Sequence, residues 1–207
     1  MTTLVVIAKE CRPGRVKTRL GAEIGLEAAA RLASASLADT LALGRQVLAA
    51  RRVLAFDGVP PADARDFHVV PQADGDLDER LAAVFDAATG PTLLVGMDTP
   101  QLVAADLAAV FPRWPSDADA VLGPAVDGGF WAIGMREPDG DVIRGVAMSR
   151  GDTGSAQLAR LTASGRRVRL LGPLEDVDTL ASARRVAAAA PGTRFARLLA
   201  RTMEAAA

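Results

Sequence analysis

The sequence predicts an α/β protein with a mixed, mainly parallel β-sheet flanked by helices. Apolar segments of strand length alternate with helical patterns along almost all of the 207 residues, which is typical of βαβ units. One pair of strand candidates is joined by a link too short for a helical crossover, which indicates one antiparallel step in the sheet. The chain contains no internal repeat and no low-complexity linker, so residues 1–207 are expected to form one domain.

Seven apolar segments are predicted to be strands because they are short and are bounded by turn residues. They are Thr3–Ala8, Arg52–Asp57, Phe67–Pro71, Thr92–Gly96, Ala120–Ala125, Phe130–Met135 and Val168–Leu171. Only a short turn containing Asp127-Gly128-Gly129 separates the fifth strand from the sixth. We therefore expect those two strands to pair in the antiparallel direction.

Six segments are predicted to be helices. They are Leu26–Ala49, Leu77–Ala88, Ala104–Phe111, Gly154–Ala163, Leu180–Ala189 and Thr193–Glu204. In the first, apolar residues such as Ala28, Leu32 and Ala35 recur with the 3.6-residue period of a helix. Residues 137–152 are rich in Gly, Asp and Arg and are predicted to cross the face of the protein that carries the site.

The composition excludes several classes of function. Basic and acidic residues balance at 24 and 25, which argues against nucleic acid or a membrane surface as the partner. No apolar run approaches the roughly 20 residues of a membrane-spanning helix, and no signal peptide is recognisable. The single cysteine, Cys11, rules out an internal disulfide framework and favours a reducing cytoplasm.

A basic loop follows the first predicted strand and precedes a helical pattern. A strand that opens into a glycine-containing loop and then a helix presents backbone N–H groups to an anion. Five cationic side chains lie within eleven positions of this loop: Lys9, Arg12, Arg15, Lys17 and Arg19. In a chain of net charge −1, this local concentration predicts a substrate that carries phosphate.

Better-known phosphate and nucleophile motifs do not fit the chain. Val16 stands where a Walker A motif requires its second glycine before Lys17-Thr18, and no dinucleotide fingerprint or nucleophile elbow is present. His68 is the only histidine and lies inside a predicted strand, so a surface or structural role is expected for it. Neighbouring cations could lower the pKa of the Cys11 thiol, but we favour a structural or incidental role for it over that of a nucleophile.

Two aspartate-containing turns follow predicted strands. Asp98 comes directly after the fourth strand, and Asp176 and Asp178 follow the seventh. Each turn alone is also a normal helix N-cap. In the second of these turns, one carboxylate is expected to reach the site while the other faces elsewhere. Asp98 paired with Asp178 gives two carboxylates for one Mg²⁺ opposite the basic loop.

Two further segments are open to a functional or a structural interpretation. The Asp127-Gly128-Gly129 turn allows a ligand to approach the backbone closely, and it equally fits an ordinary tight turn. The polar connection from Gln72 to Arg80 suits recognition of a base, a ribose or an acceptor, and it also suits a capped helix start.

The ordered set of these segments resembles the radical-SAM/selenodomain-associated transferase family over almost the whole chain. The matching segments are Ala8-Lys9, Pro13 to Leu20, Ala38-Asp39-Thr40, Gln72 with Gly75-Asp76-Leu77 and Glu79-Arg80, Asp98 with Pro100, Ala118 to Pro124, Asp127-Gly128-Gly129, Met148-Ser149, and Asp176 to Thr179. The sequence departs from the family pattern at Asp78, Arg150, Phe130-Trp131 and Leu180. These departures leave the acceptor open.

The resemblance implies a GT-A (nucleotide-diphospho-sugar transferase) fold, similar to that of molybdenum-cofactor and 2-phospholactate guanylyltransferases, with one divalent metal. Under this reading Lys17, Arg19 and Asp98 are catalytic, and Asp98 and Asp178 hold Mg²⁺ or Mn²⁺. The implied substrate- or nucleotide-binding residues are Ala8, Lys9, Gly14, Arg15, Lys17, Arg19, Gln72, Asp76, Asp127, Gly128, Gly129 and Ser149.

Three functions remain open at this point. The dense basic loop slightly favours nucleotidyl transfer from a nucleoside triphosphate to a small acceptor, because a triphosphate carries more charge to neutralise. Glycosyl transfer from a nucleotide sugar to a small acceptor is the second, and a non-catalytic nucleotide-binding module is the third. The sequence does not fix the base, the acceptor or the oligomeric state.

Overall fold

The computed structural model describes residues 1–205, which contain one seven-stranded sheet. The strands are β1 (Thr3–Lys9), β2 (Arg52–Asp57), β3 (His68–Pro71), β4 (Thr92–Val95), β5 (Ala120–Pro124), β6 (Phe130–Met135) and β7 (Val168–Leu170). Their order in the sheet is β3-β2-β1-β4-β6-β5-β7. Strand β6 is antiparallel to both β4 and β5, and the other neighbouring pairs are parallel. The predicted mixed, mainly parallel sheet is confirmed.

Six α-helices accompany the sheet in the part of the chain that the structure describes. They are α1 (Thr18–Ile24), α2 (Leu26–Gln46), α3 (Leu77–Asp86), α4 (Thr153–Ala163), α5 (Leu180–Ala189) and α6 (Arg194–Glu204). Short 3₁₀ turns occupy Ala62–Ala64, Ala104–Leu107 and Gly140–Val142. Among residues 1–205, no helix combines the length and the apolar character that a membrane crossing requires.

The prediction of a helix over Ala104–Phe111 is wrong. A 3₁₀ turn covers only Ala104–Leu107, and the Asp106 carboxylate accepts a hydrogen bond from the Val103 N–H at 2.9 Å. Pro112 follows Phe111 directly, and the residue before a proline is disfavoured in helical backbone. Leu107 and Val110 are buried, so their apolar pattern reflects packing rather than a regular helix.

Successive side chains of a strand point to opposite faces of the sheet. Helices cover both faces of the central strands, so the side chains on both faces are buried. Leu4, Val6 and Leu93 belong to a core cluster that also contains residues of α2. Val5 and Leu94 point the other way, into a cluster with residues of α3 and α4. The central strands therefore read as continuous apolar runs, as strands covered on both faces do.

A third cluster joins α1 and α2 to the helices at the end of the chain. Leu20, Leu32, Val177 and Phe195 are buried in it. Leu20 lies three residues after Lys17, and Val177 lies between Asp176 and Asp178. Apolar packing thus draws the basic loop and the last pair of aspartates toward one end of the sheet.

The turn between β5 and β6 lies at the same end of the sheet as the carboxyl ends of the parallel strands. Strands β1 to β4 run parallel, so their carboxyl ends share one edge of the sheet. Because β6 runs in the opposite direction to β4 and β5, the β5–β6 turn lies at that same edge. In open α/β sheets the carboxyl edge is where ligands bind.

Candidate active site

A cavity of about 550 Å³ lies at the carboxyl edge of the sheet. Its lining includes eight of the residues implicated by sequence: Ala8, Lys9, Gln72, Asp76, Asp98, Asp127, Gly129 and Ser149. Six others are not among the lining residues: Gly14, Arg15, Lys17, Arg19, Gly128 and Asp178. Of these six, Lys17, Arg19 and Asp178 form an ion cluster with Asp98, which does line the cavity.

The ion cluster links the basic loop to both predicted aspartates. The Lys17 ammonium lies 2.9 Å from Oδ1 of Asp98 and 3.7 Å from Oδ1 of Asp178. Nη1 of Arg19 donates a hydrogen bond to Oδ2 of Asp178 at 3.0 Å. The Lys17 side chain is only 9% exposed, whereas that of Arg19 is 77% exposed. Folding therefore unites three segments that are distant in sequence.

Backbone geometry fixes this cluster. The N–H of Val177 donates to the Asp98 carbonyl at 3.0 Å, so the two aspartate segments lie side by side. Lys17 has a φ of 48° and precedes α1 as its N-cap residue. A non-glycine residue in the left-handed region is uncommon and costs free energy. Buried Val16 and Leu20 flank Lys17 and hold the loop against the core.

Asp176 is a cavity residue that the sequence analysis did not select. It lines the cavity, whereas Asp178 does not, and Val177 between them is buried. Burial, followed by the negative charge of Asp98, raises the pKa of the Asp176 carboxyl to about 7. Within the described residues Asp176 forms no salt bridge. Residues i and i+2 of a regular extended segment share one face, so the sequence pattern does not distinguish Asp176 from Asp178.

Asp98, Asp176 and Asp178 are the carboxylates of this region that could hold a metal ion. No group of three or more His, Cys, Asp or Glu side chains in residues 1–205 is placed to hold a metal ion by itself. Mg²⁺ usually takes one or two protein carboxylates and completes its shell with water and phosphate oxygens. Asp98 and Asp176 both line the cavity, and Asp178 lies beside them in the ion cluster.

Gln72 and Arg80 form one hydrogen-bonded unit at another side of the cavity. The Gln72 amide nitrogen donates to the carbonyls of Ala8 at 2.7 Å and Ala55 at 3.2 Å. Its oxygen accepts from Nη1 of Arg80 at 3.4 Å, and Arg80 also donates to Asp57. Gln72 thereby positions Arg80, a cavity cation that the sequence analysis left unassigned.

The β5–β6 turn is clamped against the start of α4. Gly128 has a φ of 91°, and its carbonyl accepts a hydrogen bond from the Gly154 N–H at 2.8 Å. A Cβ atom on Gly128 would lie 2.0 Å from the carbonyl oxygen of Gly151. Gly128 is therefore required for packing of the turn, and its neighbours Asp127 and Gly129 face the cavity.

The loop before α4 supplies the remaining side of the cavity. Met148, Ser149 and Arg150 line it, and Ser149 has a φ of 59°. The Thr153 hydroxyl accepts from the Arg150 N–H at 3.1 Å and donates to the Ala147 carbonyl at 2.8 Å. Of the segment 137–152, predicted to cross the active face, these three residues are the ones that line the cavity.

The Cys11 thiol does not have the lowered pKa that its cationic neighbours could produce. Burial of the thiol raises its pKa and outweighs the opposing effect of Lys17 and Lys9. A raised pKa reduces the thiolate fraction and hence the reactivity of the group. His68 is exposed on the edge strand β3, as expected for a surface residue.

Comparison with known proteins identifies both a family and a fold. Residues 28–150 match the model of the family described as "Uncharacterized protein conserved in bacteria (DUF2064)". None of the curated proteins matches the chain significantly.

Solved structures share the fold. A proposed nucleotide-diphospho-sugar transferase from Desulfovibrio desulfuricans G20 aligns with a TM-score of 0.81 and 24% identity over 98% of this chain and 95% of its own. A Mycobacterium sp. strain JC1 homologue of Mycobacterium tuberculosis rv0371c aligns with a TM-score of 0.56 and 21% identity over 92% and 97%. The structure of CMP:2-keto-3-deoxy-manno-octonic acid synthetase complexed with CTP aligns with a TM-score of 0.56 and 12% identity over 90% of this chain and 97% of its own. The predicted GT-A fold class is confirmed.

We expect Gly128→Ala to destabilise the protein by about 2–4 kcal/mol, because the new methyl group adds overlap with backbone to an unfavourable φ. Gly145→Ala is a matched control, since Gly145 also has a positive φ, of 77°, but has open space around it. Its cost should be about 1 kcal/mol. Urea unfolding of both variants provides the measurement. Equal losses of unfolding free energy would contradict the clamp.

We expect Asp176 to make the metal-free protein less stable as the pH rises from about 4 to about 7. Its folded pKa of about 7 lies above its ordinary value of 3.8, so in this interval the folded protein retains a proton that the unfolded chain has lost. Asp176→Asn has no such proton. In EDTA, the unfolding free energy of the variant should therefore rise relative to wild type by about 2–4 kcal/mol across the interval. A difference independent of pH would contradict the assignment.

Proposed function

This chain belongs to the DUF2064 family, and we propose that it is a Mg²⁺-dependent nucleotidyltransferase that uses a nucleoside triphosphate and a small acceptor. The observation that carries the proposal is the ion cluster of Lys17, Arg19, Asp98 and Asp178 beside the cavity. It combines cations for phosphate with carboxylates for a metal. The finer resemblance to the radical-SAM/selenodomain-associated transferases is part of the same proposal.

The reaction is a displacement at phosphorus. An acceptor oxygen forms a bond to the α-phosphorus, the bond from that phosphorus to the bridging oxygen breaks, and pyrophosphate leaves. The proton of the acceptor hydroxyl passes to solvent or to a carboxylate of the cavity. Positioning and charge stabilisation provide most of the catalysis in phosphoryl and nucleotidyl transfer.

The basic side chains stabilise the phosphates. Lys17 and Arg19 lie together at Asp178, where they can offset the charge that develops on the leaving group, with Arg15 in the same loop. Lys9 and Arg80 line the cavity and add positive charge along it. Gln72 and Asp76 line the part of the cavity near Arg80, where we place the base and ribose.

The carboxylates are the proposed metal ligands. Asp98 is the principal one, with Asp178 as the partner expected from sequence and Asp176 as the partner that the cavity lining favours. A bound Mg²⁺ supplies charge neutralisation and orientation of phosphate oxygens. The Asp127-Gly129 turn and the residues Met148, Ser149 and Arg150 face the other end of the cavity, which we assign to the acceptor.

Glycosyl transfer is the second candidate, because the structure from Desulfovibrio desulfuricans aligned above is described as a proposed nucleotide-diphospho-sugar transferase. Support for the first candidate comes from the shared fold of CMP:2-keto-3-deoxy-manno-octonic acid synthetase, whose structure contains CTP. The concentration of basic side chains also favours a triphosphate.

Product analysis distinguishes these functions. The protein is incubated with the four nucleoside triphosphates, or with UDP- and GDP-sugars, and with Mg²⁺ and a pool of sugar phosphates and hydroxy acids. We expect release of pyrophosphate; release of a nucleoside diphosphate from a nucleotide sugar would establish the second candidate. In parallel thermal-shift assays, ligand binding raises the melting temperature by mass action. Stabilisation by nucleotide that is indifferent to Mg²⁺, without any product, would indicate a binding module instead.

Asp98→Ala should reduce Mg²⁺-dependent turnover by about 10²–10³-fold, the usual cost of losing one contact that stabilises transition-state charge. Glu27→Ala is the control, because Glu27 is exposed in the first turn of α2 and is not a lining residue of the cavity. Its turnover should stay within about twofold of wild type. Both variants should keep the wild-type circular dichroism spectrum. Near-normal turnover in Asp98→Ala would refute the role of this residue.

A further inference from the structure

We propose that Lys17 masks the metal site in the nucleotide-free protein, so that the metal and the nucleotide phosphates bind cooperatively. The proposal rests on the proposed function and concerns the regulation of the same site. Its basis is that the Lys17 ammonium already occupies the carboxylates to which a divalent cation would bind.

The position of Lys17 between two acids is specific. Its ammonium lies 2.9 Å from Asp98 and 3.7 Å from Asp178, and its side chain is 9% exposed. The carboxylates are more accessible, at 38% and 48% exposed. The ammonium thus lies beside Oδ1 of both acids, while their side chains remain partly exposed to solvent. Arg19 contacts only Asp178 and is largely exposed, so it does not fill this role.

The backbone of Lys17 cannot move away easily. Buried Val16 and Leu20 fix the loop on either side of it, and its left-handed conformation is set by the start of α1. Release of the carboxylates therefore requires movement of the side chain alone. A lysine side chain has four rotatable bonds, and its compact ammonium can exchange one anionic partner for another.

Phosphate provides that alternative partner. A divalent cation that approaches Asp98 is repelled by the ammonium 2.9 Å from the same carboxylate. When nucleotide phosphates enter the cavity, Lys17 can pair with them and leave Asp98 free. Each ligand then removes an obstacle to the other, which is positive coupling and is reciprocal by thermodynamic linkage.

Binding of Mn²⁺ alone, measured by electron paramagnetic resonance without nucleotide, tests the mask directly. We expect Lys17→Met and Lys17→Gly each to bind Mn²⁺ about tenfold more tightly than wild type. Glycine accommodates the positive φ at this position, so Lys17→Gly still tests the proposal if Lys17→Met fails to fold. Arg12→Met is the matched control: Arg12 belongs to the same loop but pairs with Glu10, and its Mn²⁺ affinity should stay within about twofold of wild type.

Three results would overturn the mask. The first is Mn²⁺ affinity in the folded Lys17 variants that is no higher than in wild type. The second is equal tightening in Arg12→Met, which would reflect overall charge only. The third is tightening that survives in Lys17→Met combined with Asp98→Asn, because the ion would then be bound elsewhere. Since Mn²⁺ is the only probe, failure here leaves the pyrophosphate assay untouched, and a failed pyrophosphate assay leaves this result standing.

Discussion

The backbone hydrogen bond from Val177 to the carbonyl of Asp98 holds the candidate site together. It joins the segment after β4 to the segment before α5, and it sets the three aspartates within one charged neighbourhood. Val177 makes this bond from inside the third apolar cluster, where Leu20 is also buried. The same packing that stabilises the helices at this end therefore aligns the carboxylates with the basic loop.

The three aspartates of this neighbourhood differ in how their negative charges are compensated. Asp98 and Asp178 are paired with Lys17 and Arg19, whereas the pKa of Asp176, which faces the cavity, is raised first by burial and then by repulsion from Asp98. An additional positive charge in the cavity would relieve that repulsion. Lys17 therefore compensates the negative charge of this neighbourhood only in part.

The strands and most helices could be predicted because local pattern and tertiary environment agree. Strands β1 and β4 are covered on both faces, so their apolar runs stand out from the turns around them. The short helix α1 was missed, since its seven residues carry no clear period and Gly25 separates it from α2. For residues 104–111 a helix was predicted where the structure has turns, because Leu107 and Val110 are buried with a spacing that resembles that of a helix.

Within the site, sequence could identify charged residues but not their partners. The pairing of Lys17 with Asp98 depends on contacts between segments that only the fold brings together. Likewise, the sequence does not distinguish Asp176 from Asp178, and the fold places only Asp176 in the lining of the cavity. Gln72 lines the cavity as expected, yet its amide hydrogens are directed to the ends of two strands.

The clamped β5–β6 turn and the ion cluster are held by different parts of the fold. Gly128 and Gly154 tie the turn to the start of α4, close to Met148, Ser149 and Arg150 in the lining of the cavity. The ion cluster is held instead by the start of α1 and by the segment at Val177. Substitution of Met148, Ser149 or Arg150 would therefore reshape the cavity without removing any ion pair of the cluster.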